Sequence, residues 1–444
     1  MTSLEDLTRS RDLPQLTAWL EQTGTLDIAE EMARLSPAER AVAFRLLDKW
    51  RALEVFEALE PVHQQELLEG LRDQQVQHLI EEMSPDDRAR LLDEVPAMVA
   101  RRLQAGLSAE ERRMTAVLLG YPEESAGRLM TPEYVNLRAS MTVADALAKI
   151  RRLGADAETV YLLPVTDDQR GLLGVVSLRD LVLNAGGVRV GEIMTPGVLY
   201  ARVDDDREQA ARLIQEADLL ALPVVDHEDR LVGVITVDDA MKVLEEEGTE
   251  DIVRGGGAEP LGRPYLAVGP FALARKRAPW LLILGIAATL TVTVLDRFEE
   301  TLEAVVTLGL FIPLLIDTGG NSGSQAATVV IRAMAVGEVR FRDLPRVVGK
   351  ELAAGAMLGL MLALVAFVPV TAYQGADFGL VISSTLLLIC VWATLAGAFL
   401  PMVAKRIGID PAVVSAPLIT TLVDATGLLI YFGIATAVLP ELIG

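Results

Sequence analysis

The sequence predicts a multidomain membrane protein that combines an all-α helical solenoid, a duplicated α+β module, a long acidic connecting helix and five α-helical membrane spans. Three observations predict it: a 24-residue repeat near the N-terminus, a second repeat of about 60 residues, and long uncharged stretches after residue 270. The 444 residues are too many for one ordinary core. We expect domain boundaries at 1–125, 126–240 (modules 126–186 and 187–240), 241–270 and 271–444.

The first repeat predicts stacked short helices. It consists of four similar segments at 24-residue steps, each followed by an apolar-periodic run: Leu35-Ser36-Pro37, Leu59-Glu60-Pro61, Met83-Ser84-Pro85 and Leu107-Ser108-Ala109. Ser36, Ser84 and Ser108 are expected helix N-caps, and Pro37 and Pro85 are expected first helical residues. The segment therefore indicates a solenoid, with a compact irregular helical bundle as the alternative.

The second repeat predicts two copies of one α+β module. Matching segments are GRLMTP (127–132) with GEIMTP (191–196), LLPVTDD (162–168) with ALPVVDH (221–227), and GVVSLRD (174–180) with GVITVDD (233–239). These residues resemble a tandem cystathionine-β-synthase-type (CBS) pair. The resemblance implies a nucleotide ribose held by Ser177 and Asp180, or by Thr236 and Asp239, and a phosphate facing Arg179. A ligand-free regulatory spacer is the alternative.

An acidic helix is predicted after this pair, over residues 237–257, before three glycines end it. Its carboxylates outnumber its cations, Lys242 and Arg254. Like charges on neighbouring turns destabilise a helix unless they are neutralised, and a divalent cation bridging two carboxylates would do so. A solvated charged linker is the plainer interpretation.

Five stretches are long and apolar enough to span a bilayer: 278–295, 304–331, 352–376, 378–404 and 411–440. Basic residues cluster in the loops on one side, which predicts a cytoplasmic N-terminus and an extracytoplasmic C-terminus in a plasma or inner cell membrane. The first residues lack the apolar core of a secretory signal, in agreement with a cytosolic front half.

Two carboxylates fall near the middle of predicted spans, Asp317 and Asp424. An ionised side chain at that depth costs roughly 2.5–3.5 kcal/mol, so it is a functional hypothesis by default. The surrounding candidate ligands are all hard oxygens, which favours a hydrated Mg²⁺ or Ca²⁺ over softer metals. The candidate pore set is Asp424, Thr420, Thr421, Asn321, Gln325, Thr328 and Asp317, with Gly320, Gly323 and Gly427 allowing close helix or ion approach. A protonated carboxyl in helix packing is the alternative for either aspartate.

Charge distribution excludes several function classes. The chain holds 62 acidic and 40 basic residues, a net charge of −22. Nearly all of the excess precedes residue 271, which argues against a nucleic-acid partner and for cations. We expect no enzyme, because no nucleophile–base or phosphate-loop constellation occurs. The lone Cys390 excludes an intrachain disulfide, and the single histidines (His63, His78 and His227) are expected to be solvated.

The order of domains resembles that of the MgtE family of magnesium channels, as do residues 312–339 and 410–432. The resemblance implies a homodimer in the bilayer, with Asp424 of each subunit binding hydrated Mg²⁺, and cytosolic Mg²⁺ sites that hold the pore shut. Regulatory ligands implied in this way are Asp239, Glu247, Glu250, Asp251, Asp206, Glu208 and Asp218, with Asp86 and Asp87 assigned in the solenoid without a motif. ATP would act as a regulatory ligand at Arg179 and Asp180. Ser324 departs from relatives that carry Asn, which puts a pore contact there in question.

Three functions follow as hypotheses. The first is a Mg²⁺-gated Mg²⁺ channel. The second is an ion-coupled carrier of Mg²⁺ or Co²⁺ that uses Asp317 as a coupling charge, and the third is a membrane sensor of metal or nucleotide that transports nothing. Ion flux, and its dependence on Asp424 and Asp317, separates them.

Overall fold

The computed structural model describes residues 4–10, 13–71, 73–95, 97–261, 265 and 268–439. The predicted end of the last span, Pro440, and the tail after it lie outside these residues. The chain divides into two compact units, residues 1–247 and 248–444.

The first unit begins with short stacked helices, as the repeat predicts. Their bounds are Leu4–Ser10 (α1), Leu13–Gln22 (α2), Thr25–Ala33 (α3), Pro37–Phe44 (α4), Lys49–Ala58 (α5), Pro61–Gly70 (α6), Asp73–Glu82 (α7), Pro85–Glu94 (α8), Ala97–Gly106 (α9) and Ala109–Leu119 (α10). Each 24-residue step therefore holds two helices. Ser36 and Ser108 form capping boxes with Glu39 and Glu111, and Ser84 is also an N-cap. The predicted caps are confirmed.

The repeat also carries a buried hydrogen-bond donor at 24-residue intervals. Arg40, Gln64 and Arg88 each donate to the backbone carbonyl eight positions earlier, at 2.8 Å in each case. Arg112, at the next 24-residue step, is exposed and donates to the Leu107 carbonyl at 2.8 Å. Carbonyls at helix C-termini have no partner within their own helix, so each donor satisfies the end of the helix before it. The donor fixes how successive helices stack.

Two α+β modules follow. Their elements are Ala126–Leu129 (α11), Leu137–Arg138 (β1), Val143–Leu153 (α12), Leu162–Thr166 (β2), Leu172–Ser177 (β3), Leu178–Leu183 (α13), Val190–Ile193 (α14), Thr195–Pro196 (β4), Ala201–Arg202 (β5), Arg207–Glu216 (α15), Ala221–Val225 (β6) and Leu231–Thr236 (β7). Strand β1 runs parallel to β2, as β5 does to β6, and β2 runs antiparallel to β3, as β6 does to β7. The register shifts at the same place, between Val165 and Thr166 and between Val224 and Val225. The duplication predicted from sequence is confirmed.

The two modules exchange their MTP segments. Strand β4, which opens the second module, pairs with β3 of the first module. Thr131, in the matching segment of the first module, pairs with Val234 of β7 through hydrogen bonds of 2.9 and 3.0 Å. Each sheet is therefore completed by backbone from the other module.

Separate apolar cores support the solenoid and each module. Ala89 and Leu118 of the solenoid are fully buried in the core of the second module. The end of the solenoid is therefore packed on that module rather than free in solvent. The acidic segment after β7 forms one helix, Val237–Gly255 (α16).

The second unit is built from long apolar helices. Their bounds are Pro270–Arg297 (α17), Glu299–Ala304 (α18), Thr307–Ala335 (α19), Leu344–Gln374 (α20), Ala376–Arg406 (α21) and Ala416–Val438 (α22). Among the described residues, four segments are long and apolar enough to cross a membrane: Pro270–Arg297, Phe341–Gln374, Ala376–Arg406 and Ala416–Val438. Helix α19 has the length of a span, but polar residues in its middle lower its mean hydropathy. The count of five spans stays a prediction.

Helices α20 and α21 pack closely at small residues. A Cβ at Gly355 would lie 2.3 Å from Oγ1 of Thr394, and one at Gly359 would lie 2.8 Å from the backbone of Leu387. Membrane helices lack a hydrophobic driving force for association, so close backbone approach at such positions provides much of their contact energy.

Candidate ion path and acidic cluster

One face of α19 carries polar side chains that neighbouring helices leave exposed. Asp317, Asn321, Gln325 and Thr328 recur at helical spacing, and all four are exposed. Gly319, Gly320, Ser322 and Gly323 occupy the opposite face and are buried. A helix that faced lipid would carry apolar side chains on its outer face. Helix α19 instead has small residues inside the bundle and polar residues on its outer face.

Asp424 lies on α22, the helix that packs against the buried face of α19. It is half-buried, as are Thr420 and Thr421, and it lies within electrostatic range of Asp317. Helix α22 starts at Ala416, five residues later than the predicted stretch, because residues 411–413 form a separate 3₁₀ turn. Two carboxylates from separate helices are therefore near each other on a polar surface.

The contact between α19 and α22 is made by small and hydroxylated residues. The hydroxyls of Ser324 and Thr420 are 2.9 Å apart, and a Cβ at Gly320 would lie 2.7 Å from Cγ2 of Thr420. A Cβ at Gly323 would lie 3.0 Å from the side chain of Ile419 on α22, whereas one at Gly427 would lie 3.3 Å from Ile389 on α21. Ser324 is thereby engaged in helix packing.

A second group of carboxylates surrounds a cavity of about 120 Å³ in the first unit. It is lined by acidic residues of the solenoid and of α16, including Asp86, Asp87 and Asp239, and by three arginines, Arg90, Arg128 and Arg207. Asp86 is buried, and its Oδ1 has no hydrogen-bond partner. Burial, followed by the charges of Asp239 and Asp87, raises the pKa of Asp86 well above its ordinary value.

Asp239 is held from two sides. It accepts hydrogen bonds from the Thr236 hydroxyl and the Lys242 ammonium, both at 2.9 Å. Nζ of Lys242 is also 4.0 Å from Oδ1 of Asp87. Burial opposes the charged form of Lys242, but Asp239 and Asp87 outweigh it and raise the pKa of the amine. Glu57 lies near the same charges, and its pKa is raised to about 7 by burial and then by Asp87.

Several of the remaining predicted regulatory carboxylates already have partners. Glu247 accepts hydrogen bonds from Arg207, and Glu208 pairs with Arg212. Asp206 caps α15, and Asp218 adopts a left-handed backbone conformation. Glu250 pairs with Arg254, which also binds Asp410 at 3.0 Å. Asp251 is half-buried.

These donors fit a divalent cation in chemistry but are not assembled as a ligand set. The oxygens are hard, and Oδ1 of Asp86 is buried without a hydrogen-bond partner, so it could accept a cation. Within the described ranges, no three His, Cys, Asp or Glu side chains converge closely enough to hold a metal. Binding would require side chains to leave their present ion pairs.

The predicted nucleotide residues lie together where β3 joins α13. The Ser177 hydroxyl donates to Asp180 at 2.6 Å and accepts from the Asp180 backbone N–H at 3.0 Å. Arg179 is exposed between them. In the equivalent pair of the second module, Asp239 accepts hydrogen bonds from both Thr236 and Lys242.

Comparison with known proteins assigns these features to a family. Residues 24–124 match the MgtE intracellular N domain, residues 126–186 and 190–246 match CBS domains, and residues 312–434 match the MgtE divalent cation transporter domain. The chain is 42% identical to the magnesium transporter MgtE of Thermus thermophilus over 442 residues, which cover 98% of each protein. The chain belongs to the MgtE family.

Other MgtE relatives agree with this assignment. The magnesium transporter MgtE of Bacillus subtilis is 34% identical over 362 residues, covering 81% of this chain and 80% of that protein. A crystal structure of the cytosolic domain of the Mg²⁺ channel MgtE in complex with ATP matches at 40% identity with a TM-score of 0.52, covering 54% of this chain and 98% of that one. The chain is a multi-pass membrane protein of a magnesium transporter family, and these relatives are named as transporters rather than enzymes.

Sequence reasoning missed the cations of the acidic cluster and misplaced one histidine. Lys242 and Arg207 were not recognised as partners of the predicted ligands, although both lie close to acidic residues in the sequence. His63 is buried beside Glu66 rather than solvated, because it lies on the inner face of α6. The sequence signal is the spacing of His63 and Leu67, which are four residues apart and therefore share one face of α6.

Proposed function

We propose that this protein is a Mg²⁺-selective channel that mediates magnesium uptake across the cell membrane and is closed by cytosolic Mg²⁺. Its N-terminus would be cytoplasmic and its C-terminus extracytoplasmic. The pore would lie between two copies of the chain, with Asp424 as the main ion-binding carboxylate. Thr420, Thr421, Asn321, Gln325, Thr328 and Asp317 would provide further oxygens along the path.

The exposed polar face of α19 carries this proposal. Carboxylates and amides do not face lipid, because lipid offers them neither hydrogen bonds nor counter-charge. A second copy of the chain that encloses a water-filled path would cover this face. Mg²⁺ gives up its water reluctantly, so two carboxylates and several neutral oxygens suit an ion that keeps most of its hydration shell.

A liposome flux assay with Mg²⁺, Ca²⁺, Co²⁺ and Mn²⁺ tests the proposal. Asp424→Ala is expected to abolish Mg²⁺ flux, because it removes the negative charge that stabilises the hydrated cation in the path. Asp377→Ala is the matched control, since it removes an exposed aspartate from the first turn of α21, away from the middle of the span. Full flux in Asp424→Ala would refute the proposal.

The nearness of Asp317 to Asp424 keeps a coupled carrier as a second candidate. A carrier predicts saturable flux that depends on a proton or sodium gradient and changes in Asp317→Asn. A channel predicts an ionic current that follows voltage both in the unmodified protein and in Asp317→Asn. A protein that shows neither flux nor current would support a membrane sensor.

The cytosolic acidic cluster supports closure by Mg²⁺. Asp86 and Asp239 would hold a cation in the cavity that they line, and Glu247, Glu250, Asp251, Asp206, Glu208 and Asp218 are the further proposed ligands. The bound ion would supply positive charge to a strongly acidic region that otherwise repels itself. Chelation is expected to expand the particle in small-angle scattering and to raise conductance. An unchanged envelope with and without Mg²⁺ would contradict this part of the proposal.

The likeness to an ATP-bound cytosolic domain supports a regulatory nucleotide site. Ser177 and Asp180 offer a hydroxyl and a carboxylate suited to a ribose, and Arg179 offers a cation suited to a phosphate. We expect ATP to bind the full-length protein and Arg179→Ala to weaken this binding. Equal ATP affinity in both proteins would exclude this site.

A further inference from the structure

Lys242 links carboxylates that belong to different parts of the first unit. It follows Asp239 by one turn of α16, and its ammonium donates to Oδ1 of Asp239 at 2.9 Å. The same nitrogen is 4.0 Å from Oδ1 of Asp87 on α8. Because the Thr236 hydroxyl occupies the other oxygen of Asp239, Lys242 occupies a position from which a metal ion would contact this carboxylate.

The cavity beside this ion pair contains a carboxylate that Lys242 leaves unsatisfied. Oδ1 of Asp86 is buried without a hydrogen-bond partner, and Asp86 lines the same cavity as Asp87 and Asp239. Oδ1 of Asp87 also lies 3.2 Å from a guanidinium nitrogen of Arg90, but Oδ1 of Asp86 has no hydrogen-bond partner. A divalent cation in the cavity would supply positive charge to that oxygen. At about 120 Å³ the cavity has room for an ion with part of its water shell, since roughly 10–15 Å³ of such space holds one water molecule.

We propose that Lys242 is a tethered competitor of the regulatory divalent cation and sets the concentration at which that cation binds. The ion gains Asp239 only when the ammonium leaves it, so each binding event includes the loss of one charge-assisted hydrogen bond. The lysine thereby lowers the affinity of the site and moves its response to higher cation concentrations. This inference rests on the proposed function, because it assumes that Asp86 and Asp239 take a divalent cation.

Limited proteolysis of the full-length protein in detergent, titrated with MgCl₂ after chelation, measures the affinity without relying on transport. Lys242→Met keeps the length of the side chain and removes its charge. We expect its midpoint of Mg²⁺ protection to fall roughly ten- to hundredfold below that of the unmodified protein, the equivalent of one hydrogen bond to a charged group. Arg189→Met is the matched control, since it removes an exposed cation of the same unit.

The outcomes separate the two proposals. Equal midpoints in Lys242→Met and the unmodified protein would overturn the role of Lys242 and leave a Mg²⁺ sensor in place. A similar fall in Arg189→Met would also overturn it, because net charge alone would then explain the effect. Absence of Mg²⁺ protection in every protein would overturn the proposed regulation itself. Lys242→Arg retains the positive charge, and a midpoint below that of the unmodified protein in this variant would count against competition by the cation.

Discussion

Replacement of Arg88 by methionine is expected to destabilise the solenoid strongly. The guanidinium of Arg88 is buried and donates to the carbonyls of Ile80 at 2.8 Å, Met83 at 2.5 Å and Glu81 at 3.3 Å. Methionine fills a similar volume but leaves these carbonyls without partners. An unsatisfied buried polar group costs roughly 1–3 kcal/mol, so two well-formed bonds correspond to about 3 kcal/mol or more.

The repeat itself provides an intermediate variant. Gln64 takes the place of the arginine one step earlier and makes a single bond of 2.8 Å to the carbonyl eight residues before it. Arg88→Gln is therefore expected to keep one bond and to lose less stability than Arg88→Met. Arg101→Met, on the exposed face of α9, is the matched control and is expected to change little.

Thermal unfolding of the full-length protein in detergent, followed by protease sensitivity of the solenoid, measures the effect. A loss of about 3 kcal/mol corresponds to a fall of roughly 10 °C in the midpoint for a region of this size. The role of the repeated donor is supported if the unfolding midpoint falls most in Arg88→Met, less in Arg88→Gln and least in Arg101→Met. Equal midpoints for Arg88→Met and Arg101→Met would refute the reasoning, because the buried carbonyls would then need no partner.

Three further predictions concern other parts of the chain. Glu57 has a pKa of about 7 against an ordinary value of 4.5, so its ionisation opposes folding as the pH rises from 4.5 through 7. In unfolding curves measured with chelator, Glu57→Gln should therefore raise the free energy of unfolding at pH 8 by roughly 1–2 kcal/mol, after allowance for partial exposure. Near pH 4.5 the same substitution should have no effect. Gly359→Leu should lower the thermal midpoint and yield of the membrane unit because its side chain would meet the backbone of Leu387, whereas Gly349→Leu on the same helix meets open space and should resemble the unmodified protein. Arg254→Gln should increase proteolysis near the end of α16 because it removes the ion pair with Asp410, and unchanged cleavage would show that this pair does not hold the helix end.

The sequence predicts the repeated elements well because their signals are local. Ser36 and Ser108 begin helices through contacts within one turn, and the duplicated strands repeat the same apolar segments. The buried donor was not predicted, because Gln64 replaces arginine at one of its steps and hides the pattern. Its function depends on a carbonyl of the preceding helix, which no residue type marks.

The candidate sites could be predicted only in part, for a similar reason. Asp317 and Asp424 are conspicuous as charges within apolar stretches, and the structure brings them onto adjoining helices. The ion pair of Arg207 with Glu247 joins residues that are 40 positions apart. Partners of this kind depend on tertiary packing, so the acidic composition indicates cation binding without revealing which cations the chain itself already supplies.

The exchange of MTP segments between the two modules limits how the protein can be dissected. A cut after residue 186 would deprive β3 of its outer neighbour, Thr195–Pro196, and would deprive β7 of Thr131. Either half produced alone would expose an unpaired strand edge and become prone to aggregation. Fragments intended for biophysical study should therefore keep residues 126–246 in one piece, and any evolutionary loss of one copy would require the survivor to pair with a second chain.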